Sequence, residues 1–170
     1  DVAAAPGPPA PLPIEWGHGT IAAWPRQATG PAPHETSGED VNDVVAGPYY
    51  YLGPDFTKSR EIYAAQTINP STQYPGECMQ AFAADFTGDG WADAACMGGI
   101  GSPLHLFVNP KGEPRRWDKF DVVPNVQKEV SLLADIDSDG KPEFIYGGGG
   151  LLHYAEPDPT NPTGAWSVHD

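Results

Sequence analysis

Asp135, Asp137, Asp139 and Glu143 fall at positions 1, 3, 5 and 9 of one nine-residue stretch, with Gly140 at position 6. Acidic oxygens at alternate positions of a curled segment point inward together. Hard cations such as calcium seek six to eight oxygens at about 2.3–2.6 Å, drawn from carboxylates and backbone carbonyls on a tight loop. Gly140 permits the positive φ that turns the chain. The Lys141 carbonyl comes next in the curl, and Glu143 closes the site from the far side. Apolar residues flank the stretch, from Val130 to Ala134 before it and from Phe144 to Tyr146 after it.

The device occurs again fifty residues earlier, in the run Asp85-Phe86-Thr87-Gly88-Asp89-Gly90-Trp91-Ala92-Asp93. Here the Thr87 hydroxyl replaces the second carboxylate as a weaker oxygen donor. A further fifty residues upstream, Glu35 to Asp43 keeps the outline in worn form, with Asp40 where glycine is needed. Copies at equal spacing make an internal repeat, and a repeat of this length dictates architecture. Asp and Gly also dominate ordinary turns for local reasons. The shared spacing and flanks favour metal binding for the second and third loops, while the first reads as an acidic surface turn. An EF-hand does not fit. It needs a glutamate at position 12, where this chain has Cys96 and Tyr146, and it needs flanking helices, where this chain has short apolar runs broken by glycine.

The elements that must hold these loops are strands. After each loop comes a short apolar run, Val44 to Ala46, Ala94 to Cys96 and Phe144 to Tyr146, and then glycine. A further run follows and ends at an X-Pro step, at Gly53-Pro54, Asn109-Pro110 and Glu156-Pro157. Proline removes a ladder donor, so these steps mark strand ends. Closing strands are expected at Arg60–Tyr63, Trp117–Val123 and Ala165–His169, and opening strands at Met79–Ala84 and Val130–Ala134. The first unit shows no convincing opening strand, only Gln27 to His34 with two prolines. No window sustains helical spacing of apolar residues. Four short strands in each unit of about fifty residues is the pattern of a β-propeller blade.

The sequence therefore divides into a Pro/Ala/Gly-rich arm at 1–33, a degenerate first blade at 34–78, a second blade with a metal loop at 79–128 and a third at 129–170. Pro6 to Pro13 reads as an extended arm, with Thr20 to Trp24 as a strand or tucked segment able to supply an outer strand to a neighbour. The 170 residues suffice for a real core. A net charge of −14 argues against nucleic-acid partners, which need a basic face. No apolar stretch approaches the roughly 20 residues of a membrane span. The start at Asp1 fits a processed mature end, and loops of this kind work where calcium is millimolar, so an extracellular or periplasmic home is expected. A hairpin around 85–93 would bring Cys78 and Cys96 to one face, and that compartment favours a disulfide over two buried thiols.

On these loops, and on the runs Val44 to Phe56 and Tyr154 to Pro159, the chain resembles the FG-GAP/VCBS repeat family of β-propellers over about residues 35–170. It is similar to secreted bacterial VCBS-repeat proteins, to the propeller of fungal aldos-2-ulose dehydratase and to integrin α-subunit propellers. The resemblance implies two calcium ions, one held by Asp85, Thr87, Asp89, the Trp91 carbonyl and Asp93, the other by Asp135, Asp137, Asp139, the Lys141 carbonyl and Glu143. Glu143 departs from the usual final aspartate. Glu35, Ser37, Glu39 and Asp40 depart further and put a third calcium in doubt. Propellers close with four to eight blades and three are present here, so the chain is expected to be part of a larger or multi-chain propeller that finds blades in further sequence or in other chains.

The function expected is a calcium-rigidified extracellular module for binding, adhesion or assembly. Two alternatives stand beside it. A sugar lyase or dehydratase would draw on His105, His153, Glu156 and Asp158, and a lectin-like propeller would offer aromatic faces to a glycan, with Trp91 as the best exposed candidate.

Overall fold

The structure is a computed structural model, and it describes residues 22–25, 42–69, 71–73 and 76–170. Among these the chain is all-β, with twelve strands and no helix. They form three four-stranded antiparallel sheets, each a meander in chain order. The first sheet is β1 (Ala22–Pro25), β2 (Asn42–Ala46), β3 (Tyr49–Leu52) and β4 (Lys58–Glu61). The second is β5 (Gln80–Ala84), β6 (Asp93–Met97), β7 (Ser102–Val108) and β8 (Asp118–Val126). The third is β9 (Ser131–Ala134), β10 (Glu143–Gly148), β11 (Leu151–Glu156) and β12 (Ser167–His169).

Punctuation in the sequence sets most of these limits. β3 and β7 stop immediately before their X-Pro steps, and β11 runs through Glu156 and stops at Pro157, where the ladder would lose a donor. Gly47, Gly101 and the Gly149-Gly150 pair turn the chain at positive φ between the second and third strands of each sheet. β8 is the exception to a regular ladder. It carries Pro124 on an outer strand and shifts register against β7 between Ser102 and His105, as an edge position tolerates. β1 lies within the arm segment and pairs with β2, Ala22 opposite Val45 and Trp24 opposite Asp43. The first unit thus takes its opening strand from residues just ahead of Gln27–His34, inside the expected arm. The worn loop from Glu35 onward lies outside the described residues until Asn42, so its metal site receives no structural account.

The second sheet is covered on both faces, which explains why β6 is buried at all five positions. On one side Ala94, Cys96 and Phe107 pack with Val45 and Ile62 of the first unit, Tyr50 and Tyr63 joining from its margin. On the other side Ala95, Met97, Leu104 and Leu106 pack with Phe144, Tyr146, Ala155 and Trp166 of the third. Alternation along a strand assigns successive side chains to opposite faces, and small residues at Ala94 and Ala95 let both neighbours approach. The same backbone bond ties each pair of units. Trp117 N donates to Ile62 O at 2.9 Å, and Trp166 N donates to Val122 O at 2.8 Å. Both tryptophans are buried, at 9% and 4% exposure, and so serve the core in equivalent places. A disulfide joins Cys78, just ahead of β5, to Cys96 on β6 across Cα atoms 4.8 Å apart.

Candidate metal loops

Loop 135–143 links β9 to β10, and loop 85–93 links β5 to β6. Each closes a hairpin whose ladder runs to its rim, with Ala134 paired to Glu143 and Ala84 paired to Asp93. The last acidic residue of each loop is therefore also the first residue of a strand. That placement buries Glu143 and Asp93, at 2% and 1% exposure.

The later loop is curled by its own carboxylates. Asp135 accepts from Ser138 N at 2.7 Å through Oδ1 and from Gly140 N at 3.0 Å through Oδ2. Asp137 Oδ1 accepts from Asp139 N at 3.0 Å, and Asp139 Oδ1 from Lys141 N at 2.8 Å, two successive Asx turns. Glu143 reaches back to accept from Ile136 N at 2.8 Å. One carboxylate oxygen from each of Asp135, Asp137, Asp139 and Glu143 lies within 4.8 Å of the others. Opposite ligands of a cation with 2.3–2.6 Å bonds stand about 4.6–5.2 Å apart, so one ion can touch all four. Asp135, Asp137 and Asp139 are exposed, and among the described residues no lysine or arginine pairs with them. This group can hold a metal ion.

The earlier loop keeps the frame and changes the fill. Asp85 Oδ2 accepts from Gly90 N at 2.8 Å and Asp89 Oδ1 from Trp91 N at 2.9 Å, matching Asp135 with Gly140 and Asp139 with Lys141. Thr87 cannot form the Asx turn made by Asp137, and Asp89 N donates instead to Asp85 Oδ1 at 3.0 Å. Asp93 accepts from Thr87 N at 3.0 Å and from Asn109 N at 2.9 Å. Burial pushes its carboxyl up to about 6, although the Asn109 and Thr87 amides pull it down. Lys111 Nζ lies 3.3 Å from Asp89 Oδ2. The buried Thr87 hydroxyl faces Asp93 and helps hold that carboxyl down. Every side-chain donor of this loop is an oxygen, the chemistry a hard cation seeks, but among the described residues only Asp135, Asp137, Asp139 and Glu143 bring three or more acidic ligand atoms together.

The residues weighed for catalysis are each engaged by a neighbour of their own. His105 Nδ1 is 2.6 Å from Asp121 Oδ1, and His153 Nδ1 is 2.6 Å from Asp170 Oδ1. These are equivalent places on two different sheets, third strand against fourth. Glu156 bonds His169 at 2.9 Å, and Asp158 holds a turn through the Thr160 amide and hydroxyl. Those Thr160 bonds lower the Asp158 carboxyl below the usual range. Trp91 is half-buried, its ring passing 3.6 Å from where a Cβ on Gly112 would stand. Sequence reasoning missed the Asn109 amide and Lys111, which act on loop 85–93 from the turn after β7; their place beside it follows from strand pairing rather than from any motif. No family model, curated protein or solved structure matches the chain.

Proposed function

We propose that the chain is a calcium-clamped β-propeller segment of the FG-GAP/VCBS kind, working outside the cell as a binding or assembly scaffold rather than as an enzyme. The observation that carries this reading is the convergence of Asp135, Asp137, Asp139 and Glu143 at the head of a hairpin, repeated in frame by Asp85, Thr87, Asp89 and Asp93. Calcium fits because every donor is oxygen and three or four are carboxylates. The Trp91 and Lys141 carbonyls complete the two sets. Three consecutive four-stranded meanders, each packed on the next, support a blade-like stack. The Cys78–Cys96 disulfide suits an oxidising compartment, and among the described residues no helix is long and apolar enough to cross a membrane.

In this reading the ions are structural. Each neutralises carboxylates that otherwise repel one another and fixes a loop that joins two strands of one sheet, so metal binding and folding are linked. The test is calorimetric titration of calcium into chelator-treated protein, with thermal melts in calcium and in EDTA. Two sites and a higher midpoint in calcium are expected. A melt indifferent to calcium, with no heat of binding, would sink the proposal.

A further inference from the structure

We propose that His105 and His153 are proton-operated latches, which hold the fourth strands of the second and third sheets shut in acid and slacken as pH rises. Neither side chain takes part in the metal loops or in the proposed function.

The chain has five histidines, and the three among the described residues all bridge a third strand to a fourth. His105 on β7 meets Asp121 on β8, His153 on β11 meets Asp170 just past β12, and His169 on β12 meets Glu156 on β11. The first two hold equivalent places. Leu106 opposite Ala95 matches Tyr154 opposite Ile145, and each histidine stands one residue ahead of that position. Tyr49 has the same place in the first sheet, opposite Glu61. There Arg116 Nε donates to the Glu61 carboxylate at 2.9 Å, with a charge that pH does not remove.

The number of ring hydrogens decides what a proton does here. His153 Nδ1 lies 2.6 Å from Asp170 Oδ1, and its Nε2 lies 3.0 Å from the Gly148 carbonyl oxygen. A carbonyl and an ionised carboxylate can only accept, so two bonds need two N–H groups. A neutral imidazole has one and turns a lone pair to the other acceptor; the imidazolium fills both. Gly148 makes room for the ring, since a Cβ there would stand 3.1 Å from Nε2. His105 repeats the arrangement in a buried setting. Its Nδ1 is 2.6 Å from Asp121 Oδ1 and its Nε2 is 3.9 Å from Glu77 Oε2, so a second proton on this ring also faces a carboxylate.

The groups around each ring leave the histidine as the one that switches. Beside His153 stand Tyr146 of β10, its ring centroid 5.2 Å away, and Gln127 and Lys128 of the β8–β9 connection, which pack on Gly148 and Gly147. Burial, and then Asp170, pushes the Tyr146 phenol up, so it stays neutral. Opposite His105, Cys96 of β6 is locked in the disulfide, and Lys119 of β8 pairs with Glu77. Tyr63 of the first unit, pushed up to about 12 by burial and then by Glu77, stays neutral as well. Histidine is the side chain whose charge changes between about pH 5 and 8. Acid therefore completes both latches, and rising pH strips one N–H from each ring. That response runs against the one expected of bonded carboxylates, whose contribution acid removes.

The experiment is hydrogen–deuterium exchange of the full 170-residue chain at about pH 5.5 and about pH 8, either side of the histidine range, corrected for intrinsic rates and at constant calcium. Protection across β8 and β12 should be about threefold or more higher in acid, the worth of one hydrogen bond. His153→Gln should abolish most of that difference in β12 and leave β8 unchanged, and His105→Gln should do the converse. Should His105→Gln fail to melt cooperatively, Asp121→Asn replaces it, keeping the buried ring while removing its partner's charge, and should flatten β8 alike. Equal protection at both pH values in the wild-type chain overturns the proposal. So does a pH difference that persists unchanged in both histidine variants, which would place its origin in the carboxylates.

Discussion

The two loops share a backbone and differ in how their negative charge is met. In loop 85–93 the protein supplies part of the answer. Lys111 stands beside Asp89, Asn109 holds Asp93, and threonine takes the place of one carboxylate. In loop 135–143 four carboxylates face each other, and among the described residues no basic side chain answers three of them. A hairpin loop can thus be held largely by its own fold or left for an ion to complete, with little change in shape. The more open loop should bind its ion more tightly and lose more when the ion is removed.

Breaking the later loop should have the largest effect. Asp135→Asn with Asp137→Asn removes two of four charged donors and should lower calcium affinity there by at least about a hundredfold, since oxygen charge tunes such sites across several decades. Calorimetry should then count one ion instead of two. Next in size is the response of unliganded protein. Hydrogen exchange without calcium should speed at Ser138 and Gly140 by more than at Gly90, because the former depend on carboxylates that repel one another.

Thr87→Val sharpens the comparison from the other side. Calcium affinity of the earlier loop should fall about tenfold, while the metal-free melt changes by no more than about 1 kcal/mol, because the change removes only a weak hydroxyl contact to Asp93. Ser138 has φ of +67° where its counterpart Gly88 has +70°. Ser138→Gly should therefore stabilise the chain by roughly 1 kcal/mol in either metal state, read from denaturant midpoints. The smallest effect is expected of Lys111→Met, which removes a resident cation and should raise affinity in the earlier loop a few-fold, narrowing the difference between the two.

Much of this was legible in residue order because the signals were local. The X-Pro steps fix where β3, β7 and β11 stop, and alternating acids with glycine at position 6 mark the hairpin heads. β1 was not legible as a partner of β2. Four residues carry too little periodicity, and its partner begins at Asn42, across a connection longer than those in the other sheets. Nor did the pattern reveal that β6 is enclosed on both sides. Ala94 and Ala95 are small enough to be indifferent in sequence, and only packing shows two clusters meeting across them. Trp91 illustrates the same limit. Its loop position suggests an open aromatic platform, and the turn at Gly112 that half-covers it arrives from a strand pairing away.

The bridge between Cys78 and Cys96 encloses loop 85–93 within a covalent ring. When the oxidised chain melts, that segment cannot spread as freely as loop 135–143, and its acidic donors stay neighbours. On the proposed calcium reading, some affinity for an ion would then survive in the unfolded chain, and a ligand held by both folded and unfolded forms protects less than its dissociation constant implies. Opening the ring with a reductant would weaken the fold while giving an ion in loop 85–93 the same leverage as one in loop 135–143.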